Sequence, residues 1–253
     1  EPKEPMNPAW ASLLKYSSTW ARYRPDENSV SQWDAEINSE NDACQKVPFG
    51  YFFQSSPNRR QPGWMVYEPR RNFWLSWDGN IWNIHLKQIL DIWAVDLGIF
   101  GDCVDISTLN SLALCSLGVA HVTRQIRSTY EAFTTNFLCP MGSDPLNDTK
   151  YKTYGFVFHS ITVKRHEDLW YDALIWDATT AHRKDLLGVG YRNPPTYHEP
   201  NHSYWLLLGY WQTDFGGERL GLVASNEDIW DPIRSFGYSG EDWIAIPTTV
   251  PRY

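Results

Sequence analysis

Residues 81–97 carry apolar side chains at 82, 86, 89, 90, 93 and 97, the i, i+3/i+4 spacing of one helical face, with further ones at 81, 84 and 92. The spacing predicts a helix, with Gly98 as its stop. From Cys103 the same period returns at Ile106, Leu109, Ala113 and Leu117, while Asp105, Ser107, Thr108, Asn110 and Ser111 fall largely on other faces. This predicts an amphipathic helix that starts at Cys103 and closes at Gly118. The pattern then changes: residues 119–126 suggest a strand, followed by a polar loop through residue 149. Residues 156–163 and 170–177 are rich in β-branched and aromatic side chains on either side of the charged stretch 164–169, the signature of a hairpin. In the first strand Val157, His159, Ile161 and Val163 share a face; in the second Tyr171, Ala173, Ile175 and Asp177 do. A hairpin centred on Asp168 sets His159 directly opposite Asp177, and a slip of one residue would put them on opposite faces.

The first sixty or so residues, rich in Pro, Asn, Ser and charge, show one helical stretch at 10–23. Beyond residue 190, Pro-rich turns alternate with short aromatic strands at 204–211 and 220–224. No internal repeat or low-complexity tract appears. Helical and antiparallel-strand segments in this order imply an α+β fold in a single unit. Its expected organisation is an extension wrapped on the core (1–64), the core itself (65–190), and strands completing the same domain (191–253).

At 253 residues, 42% hydrophobic and 21% charged, the chain has ordinary globular composition. The 14 Trp, 14 Tyr and 11 Phe stand out, and supply bulky side chains to fill a core or line a cleft. A net charge of −8, with no basic run longer than Pro69-Arg70-Arg71 or Lys164-Arg165-His166, argues against a nucleic-acid partner. No apolar stretch approaches the ~18 residues of a membrane span, so no membrane partner is expected. Acidic clusters at 36–42, 144–148 and 227–231 lack the spacing of a known calcium loop and are expected to be solvated surface. The start at Glu1 suggests a processed or trimmed product. Two sequons, Asn147-Asp148-Thr149 and Asn201-His202-Ser203, are compatible with secretion.

Four cysteines, at 44, 103, 115 and 139, include no CxxC, which removes zinc ribbons and redox pairs. Cys115 falls in an apolar helical pattern and is expected to be buried. With Cys103 set aside as a nucleophile, Cys44 and Cys139 form the one plausible disulfide. Cys103 is the chemically interesting thiol because unpaired N–H groups and the positive dipole end of a helix start favour a thiolate. His198-Glu199-Pro200-Asn201-His202 spells HExxH, but Pro200 and the upstream Asn193-Pro194-Pro195 oppose the uninterrupted helix that a zinc site needs.

Gly101-Asp102-Cys103 followed by a helix and Leu117-Gly118-Val119-Ala120-His121-Val122 resembles the nucleophile segment of the transglutaminase-like superfamily. His159-Ser160-Ile161 is similar to that family's histidine strand, Ile175-Trp176-Asp177-Ala178-Thr179 to its aspartate strand, and Trp77-Asp78-Gly79 to its W-D segment. The resemblance covers residues 74–190 or so. It implies a papain-like/transglutaminase-like core, with the nucleophile helix packed on an antiparallel sheet. It also implies protein-glutamine γ-glutamyltransferase activity, in which Cys103 attacks, His159 shuttles the proton, Asp177 holds the imidazole and Trp77 donates to the oxyanion, with Trp82 as substitute donor. The implied partners are a protein or peptide glutamine donor and a primary amine or lysine acceptor. The chemistry requires no cofactor and no metal; Ca2+ enters only as a candidate regulator. Against the family pattern, Asp102 replaces Gln, Val104 replaces Trp, His121 replaces Arg and Ile161 replaces Trp. A carboxylate beside the thiol would raise the thiol pKa if both shared a buried space. The rival readings are a cysteine protease or amidase of the same fold, which would hydrolyse the thioester, and a non-catalytic Trp-rich binding module.

Overall fold

A computed structural model of the chain describes residues 8–22, 24–25, 31–32, 40–57, 60, 62–69, 74–77, 82–119, 121–128, 133–134, 138–144, 150, 152, 154–156, 158–164, 175–183, 192–193 and 222–230. In chain order the elements are α1 (Pro8–Ala21), β1 (Arg24–Pro25), β2 (Ser31–Gln32), α2 (Glu40–Gln54), β3 (Met65–Tyr67), β4 (Leu75–Trp77), β5 (Trp82–Ile84), α3 (Leu86–Ala94), β6 (Ile99–Gly101) and α4 (Cys103–Ser116). Then follow β7 (His121–Ser128), β8 (Phe133–Thr134), β9 (Leu138–Pro140), β10 (Gly155–Phe156), β11 (Phe158–Lys164), β12 (Ile175–Trp176), β13 (Thr180–Arg183), β14 (Arg192–Asn193) and β15 (Leu222–Trp230). The chain is of the α+β class. Four strands pair antiparallel in the order β12-β11-β7-β15, and β3 pairs parallel with β6.

Helix α4 lies at the centre of this arrangement. The expected amphipathic stripe is corrected here: every residue from Cys103 to Cys115 is buried, the polar ones included. Burial of that polar side is tolerated because it is hydrogen-bonded internally and to the sheet. Ser107 Oγ donates to the Cys103 carbonyl (2.6 Å), Ser111 Oγ to the Ser107 carbonyl (2.9 Å), and Asn110 Nδ2 to Thr162 Oγ1 on β11 (3.1 Å). Thr162 Oγ1 in turn donates to the Ser107 carbonyl (3.0 Å), and Ser111 Oγ meets Thr123 Oγ1 on β7 (3.1 Å). These bonds seat α4 on the sheet in one axial position. Its C-terminus closes at Gly118, whose positive φ of 85° turns the chain so that the Val119 N–H reaches the Leu114 carbonyl at 3.0 Å.

The opposite faces of α4 meet α1 and α2 in an aromatic core. Trp20 of α1 stacks on Tyr51 of α2 at 4.3 Å, and Trp93 of α3 meets Trp20 edge-on at 5.7 Å. Leu13, Val47, Phe52, Phe53 and Ile89 complete the same hydrophobic cluster as the α4 residues. Segments within 1–64, read as a wrapped extension, thus contribute side chains to the cluster that buries α4. Helix α2 was not legible, because Pro48 and Gly50 interrupt its interior and no apolar stripe marks one face.

Several expected boundaries move. The helix foreseen over 81–97 is shorter, because Trp82–Ile84 pair with Leu75–Trp77 as β5 and leave α3 to begin at Leu86. It ends on Val95 and Asp96, the latter at φ 58°, rather than at Gly98. Gly98 has a different task, since a Cβ there would run into the Trp64 ring. The loop expected through residue 149 contains β8 and β9. The hairpin strands pair as Thr162↔Trp176 and Val163↔Ile175, a register two residues from the one expected; an even offset preserves the faces. The Cys44–Cys139 disulfide is also corrected: none of the four cysteines forms a disulfide and all are buried, with Cys44 on α2 and Cys139 on β9. The strand expected at 204–211, both sequons, the HExxH segment and the turn at 165–174 lie outside the described residues. No helix among the described residues is long and apolar enough to cross a membrane.

Candidate active site

Cys103 is the first residue of α4, and the residue before it organises the helix start. Asp102 is the N-cap, with an extended backbone (φ −86°, ψ −173°), and its Oδ1 accepts the N–H groups of Val104 (2.8 Å) and Asp105 (3.0 Å). Asp105 reciprocates, its Oδ2 accepting the Asp102 N–H at 3.2 Å. The pair forms a capping box, which the spacing of the two aspartates signals and the sequence reading overlooked. It supplies a structural reason for an aspartate where Gln was the family expectation. Burial raises the Asp102 pKa above the usual carboxylate value, opposed by its two backbone hydrogen bonds and by the positive charge of His159.

Asp105 also ties the helix head to the segment carrying Trp77. Its Oδ1 accepts the Trp74 N–H (3.1 Å), and the Trp74 indole N–H donates to the Phe100 carbonyl (2.5 Å). Trp74 leads directly into β4, where Trp77 pairs with Trp82. The indoles of Trp77 and Trp82 themselves lie outside the described residues. Gly101 is set by close packing: a Cβ there would fall 2.9 Å from both Asp105 Cβ and Met65 Cε.

His159 on β11 is wholly buried, and Asp177, one residue past β12, is 1% exposed. The His159 Nε2–H donates to Asp177 Oδ2 at 2.8 Å. Asp177 is itself held: its Oδ1 accepts the Thr179 N–H (2.8 Å) and its Oδ2 the Thr180 hydroxyl (3.1 Å). Burial disfavours the imidazolium, but the charge and hydrogen bond of Asp177, and then the neighbouring Cys103, outweigh it. The His159 pKa is pushed up from 6.5 to about 10. Cys103, 4% exposed, therefore adjoins the imidazole closely enough to act on its protonation. Three residues distant in sequence are thus brought together as thiol, imidazole and carboxylate.

The sequence reading missed the aromatic surround. Phe156 lies 5.3 Å from the imidazole ring, and Tyr67 and Tyr154 flank Phe156 at 6.4 and 6.3 Å. Nothing local to Tyr67 marks it; only the parallel pairing of β3 with β6 brings it beside Gly101. Of the positions that differ from the motif the sequence resembles, Ile161 is fully buried and Val104 nearly so, while His121 pairs with Lys164 at the end of the β7–β11 ladder. No group of three or more His, Cys, Asp or Glu among the described residues is placed to hold a metal ion. No protein-family model matches this chain, and neither does any curated protein.

Proposed function

We propose that this protein is a thiol-dependent acyltransferase with a papain-like/transglutaminase-like core, acting on the glutamine carboxamide of a protein or peptide and on a primary amine. The observation that carries the reading is the 2.8 Å His159–Asp177 hydrogen bond, sealed from solvent, with Cys103 beside it at a helix head. Asp177 engages Nε2 and so leaves Nδ1 to exchange a proton with the thiol. An imidazole that strongly prefers its charged form pulls the proton from sulfur and yields a thiolate–imidazolium pair. The sulfur attacks the carboxamide carbon, and the imidazolium gives its proton to the departing nitrogen, so ammonia leaves and a thioester remains. An amine then attacks the thioester, His159 takes the amine proton, and the thiolate is expelled as an isopeptide bond forms. Water in place of the amine would make the same residues an amidase. The Trp77 indole is the proposed side-chain donor to the oxyanion, and Ca2+ a proposed regulator acting outside the chemical step.

The test is incorporation of a biotinylated amine into a glutamine-rich acceptor, with ammonia release measured in parallel, with and without calcium. The intact protein should incorporate the amine. Cys103→Ala should lose at least ~10³-fold in rate and His159→Ala nearly as much, while Asp177→Asn costs less because both reacting groups stay in place. Ammonia release without incorporation would assign a hydrolase. Near-native turnover by Cys103→Ala would refute the whole assignment.

A further inference from the structure

The proposed chemistry creates a negative oxygen beside Cys103, and one side chain with no assigned part stands next to that position. Tyr67 is the last residue of β3, in parallel register with Gly101 of β6, and the Glu68 N–H donates to the Gly101 carbonyl at 2.8 Å. Tyr67 shares a face of its strand with Met65, which is fully buried and accepts a hydrogen bond from the Tyr51 hydroxyl at 3.2 Å, so that face looks into the core. Across from it Gly101 has no side chain, and a Cβ added there would touch Met65 at 2.9 Å. The space over the Gly101-Asp102-Cys103 turn is therefore filled from β3. The Tyr67 ring packs on Phe156 at 6.4 Å and Phe156 on the His159 imidazole at 5.3 Å, so a single ring separates the tyrosine from the imidazole.

We propose that Tyr67 is a hydrogen-bond donor to the tetrahedral intermediate, its phenol O–H directed at the oxygen that becomes negative when Cys103 attacks. The inference rests on the acyl-transfer reading of the site. Burial keeps the phenol protonated, and the neighbouring Cys103, Asp102, Asp177 and Tyr154 act in the same direction. A phenol that cannot ionise among groups that carry or acquire negative charge serves as a donor. Its hydrogen bond is strongest when that charge is largest, which is the condition for lowering the barrier rather than tightening substrate binding.

Tyr67→Phe retains the ring and removes only the O–H. The measurement is ammonia release from a glutamine peptide at saturating amine, which reads the thioester-forming step whether amine or water follows. The expected result is a kcat lower by ~10²-fold with KM unchanged, the loss typical of one deleted oxyanion donor. Iodoacetamide alkylation of Cys103 should keep its pH profile, since the thiol and imidazole are untouched. A peptide whose glutamine side-chain carboxamide is replaced by an aldehyde, so that the carbonyl carbon accepts Sγ and the oxygen then mimics the intermediate, should bind the variant more weakly by a similar factor. An unchanged kcat overturns the proposal. A displaced alkylation profile also overturns it, assigning the phenol to the thiolate. So does a rate loss that accompanies a lowered melting temperature while aldehyde affinity is retained, which would make Tyr67 a packing residue. If the intact protein itself neither releases ammonia nor binds the aldehyde, the acyl-transfer reading fails first, and the two failures are told apart.

Discussion

Asp177→Asn isolates the interaction on which the candidate site depends. Three donors converge on this carboxylate: the Thr179 N–H at Oδ1, and the His159 Nε2–H and Thr180 hydroxyl at Oδ2. Asparagine has one acceptor oxygen: turned to the Thr179 N–H it sets NH2 against Nε2 and forces the imidazole into its neutral Nδ1–H tautomer, and turned to the imidazole it leaves the buried Thr179 N–H against a donor. That mismatch costs about 1–3 kcal/mol. The larger effect is on protonation. With the carboxylate present His159 titrates at about 10 against 6.5 when unfolded, a preference of about 5 kcal/mol for the folded imidazolium. Between these values the native state holds a proton that the unfolded chain has released. The contribution is therefore full below pH 6.5 and is lost as pH rises through 10; about 3 kcal/mol of it should vanish between pH 6 and pH 9. In Asp177→Asn the largest influence that raises the imidazole pKa is gone while burial and Cys103 remain, so the imidazole pKa should fall and this descending limb should shrink. Urea unfolding of the intact protein, Asp177→Asn and His159→Gln at pH 6 and pH 9 measures the difference. NMR of labelled histidine follows the imidazole directly. An intact protein that loses no more stability over this interval than His159→Gln would refute the account of a charged, buried imidazole–carboxylate pair.

Asp102→Ala removes the acceptor of two N–H groups at the head of α4 and should cost about 1 kcal/mol of stability, within the 0.5–2 kcal/mol range of lost N-caps, as measured by denaturant midpoint at pH 7; an unchanged midpoint would show that the capping box contributes nothing. Gly101→Ala places a methyl group 2.9 Å from both Asp105 Cβ and Met65 Cε, an overpacking expected to cost about 1–3 kcal/mol. Met65→Ala is itself costly at a fully buried position, so the strain is read as non-additivity: the double variant should lose less than the sum of the two single losses, and strictly additive losses would locate the strain elsewhere.

What could be read without coordinates was what depends on neighbours in sequence. The apolar period of Leu86, Ile89, Leu90 and Trp93 marked a helix, and the Cys103 helix and its Gly118 terminus follow from local period and local glycine. The strand alternation carrying His159 also survived a two-residue change of register, because a side chain's face depends only on parity. Where a local signal and a distant partner competed, the partner prevailed. Trp82 and Ile84 fit the helical period but form β5 because β4 offers them a ladder, and α2 forms despite Pro48 because Tyr51, Phe52 and Phe53 enter the core shared with α1 and α4.

Covalent order was enough to set out the available chemistry: a thiol at a helix start, and an imidazole and a carboxylate on segments of compatible face. Tertiary structure alone decided what each of these groups touches. The polar side of α4 became interior because Thr123 and Thr162 supply hydrogen-bond partners that no pattern within the helix reveals. The His159 pKa rises rather than falls because Asp177, at 2.8 Å, and then Cys103 outweigh the effect of burial, and Tyr67 enters only because two parallel strands abut. Covalent order sets the identity and spacing of groups, whereas burial and electrostatic coupling act through distances in space, which the chain acquires only when it packs.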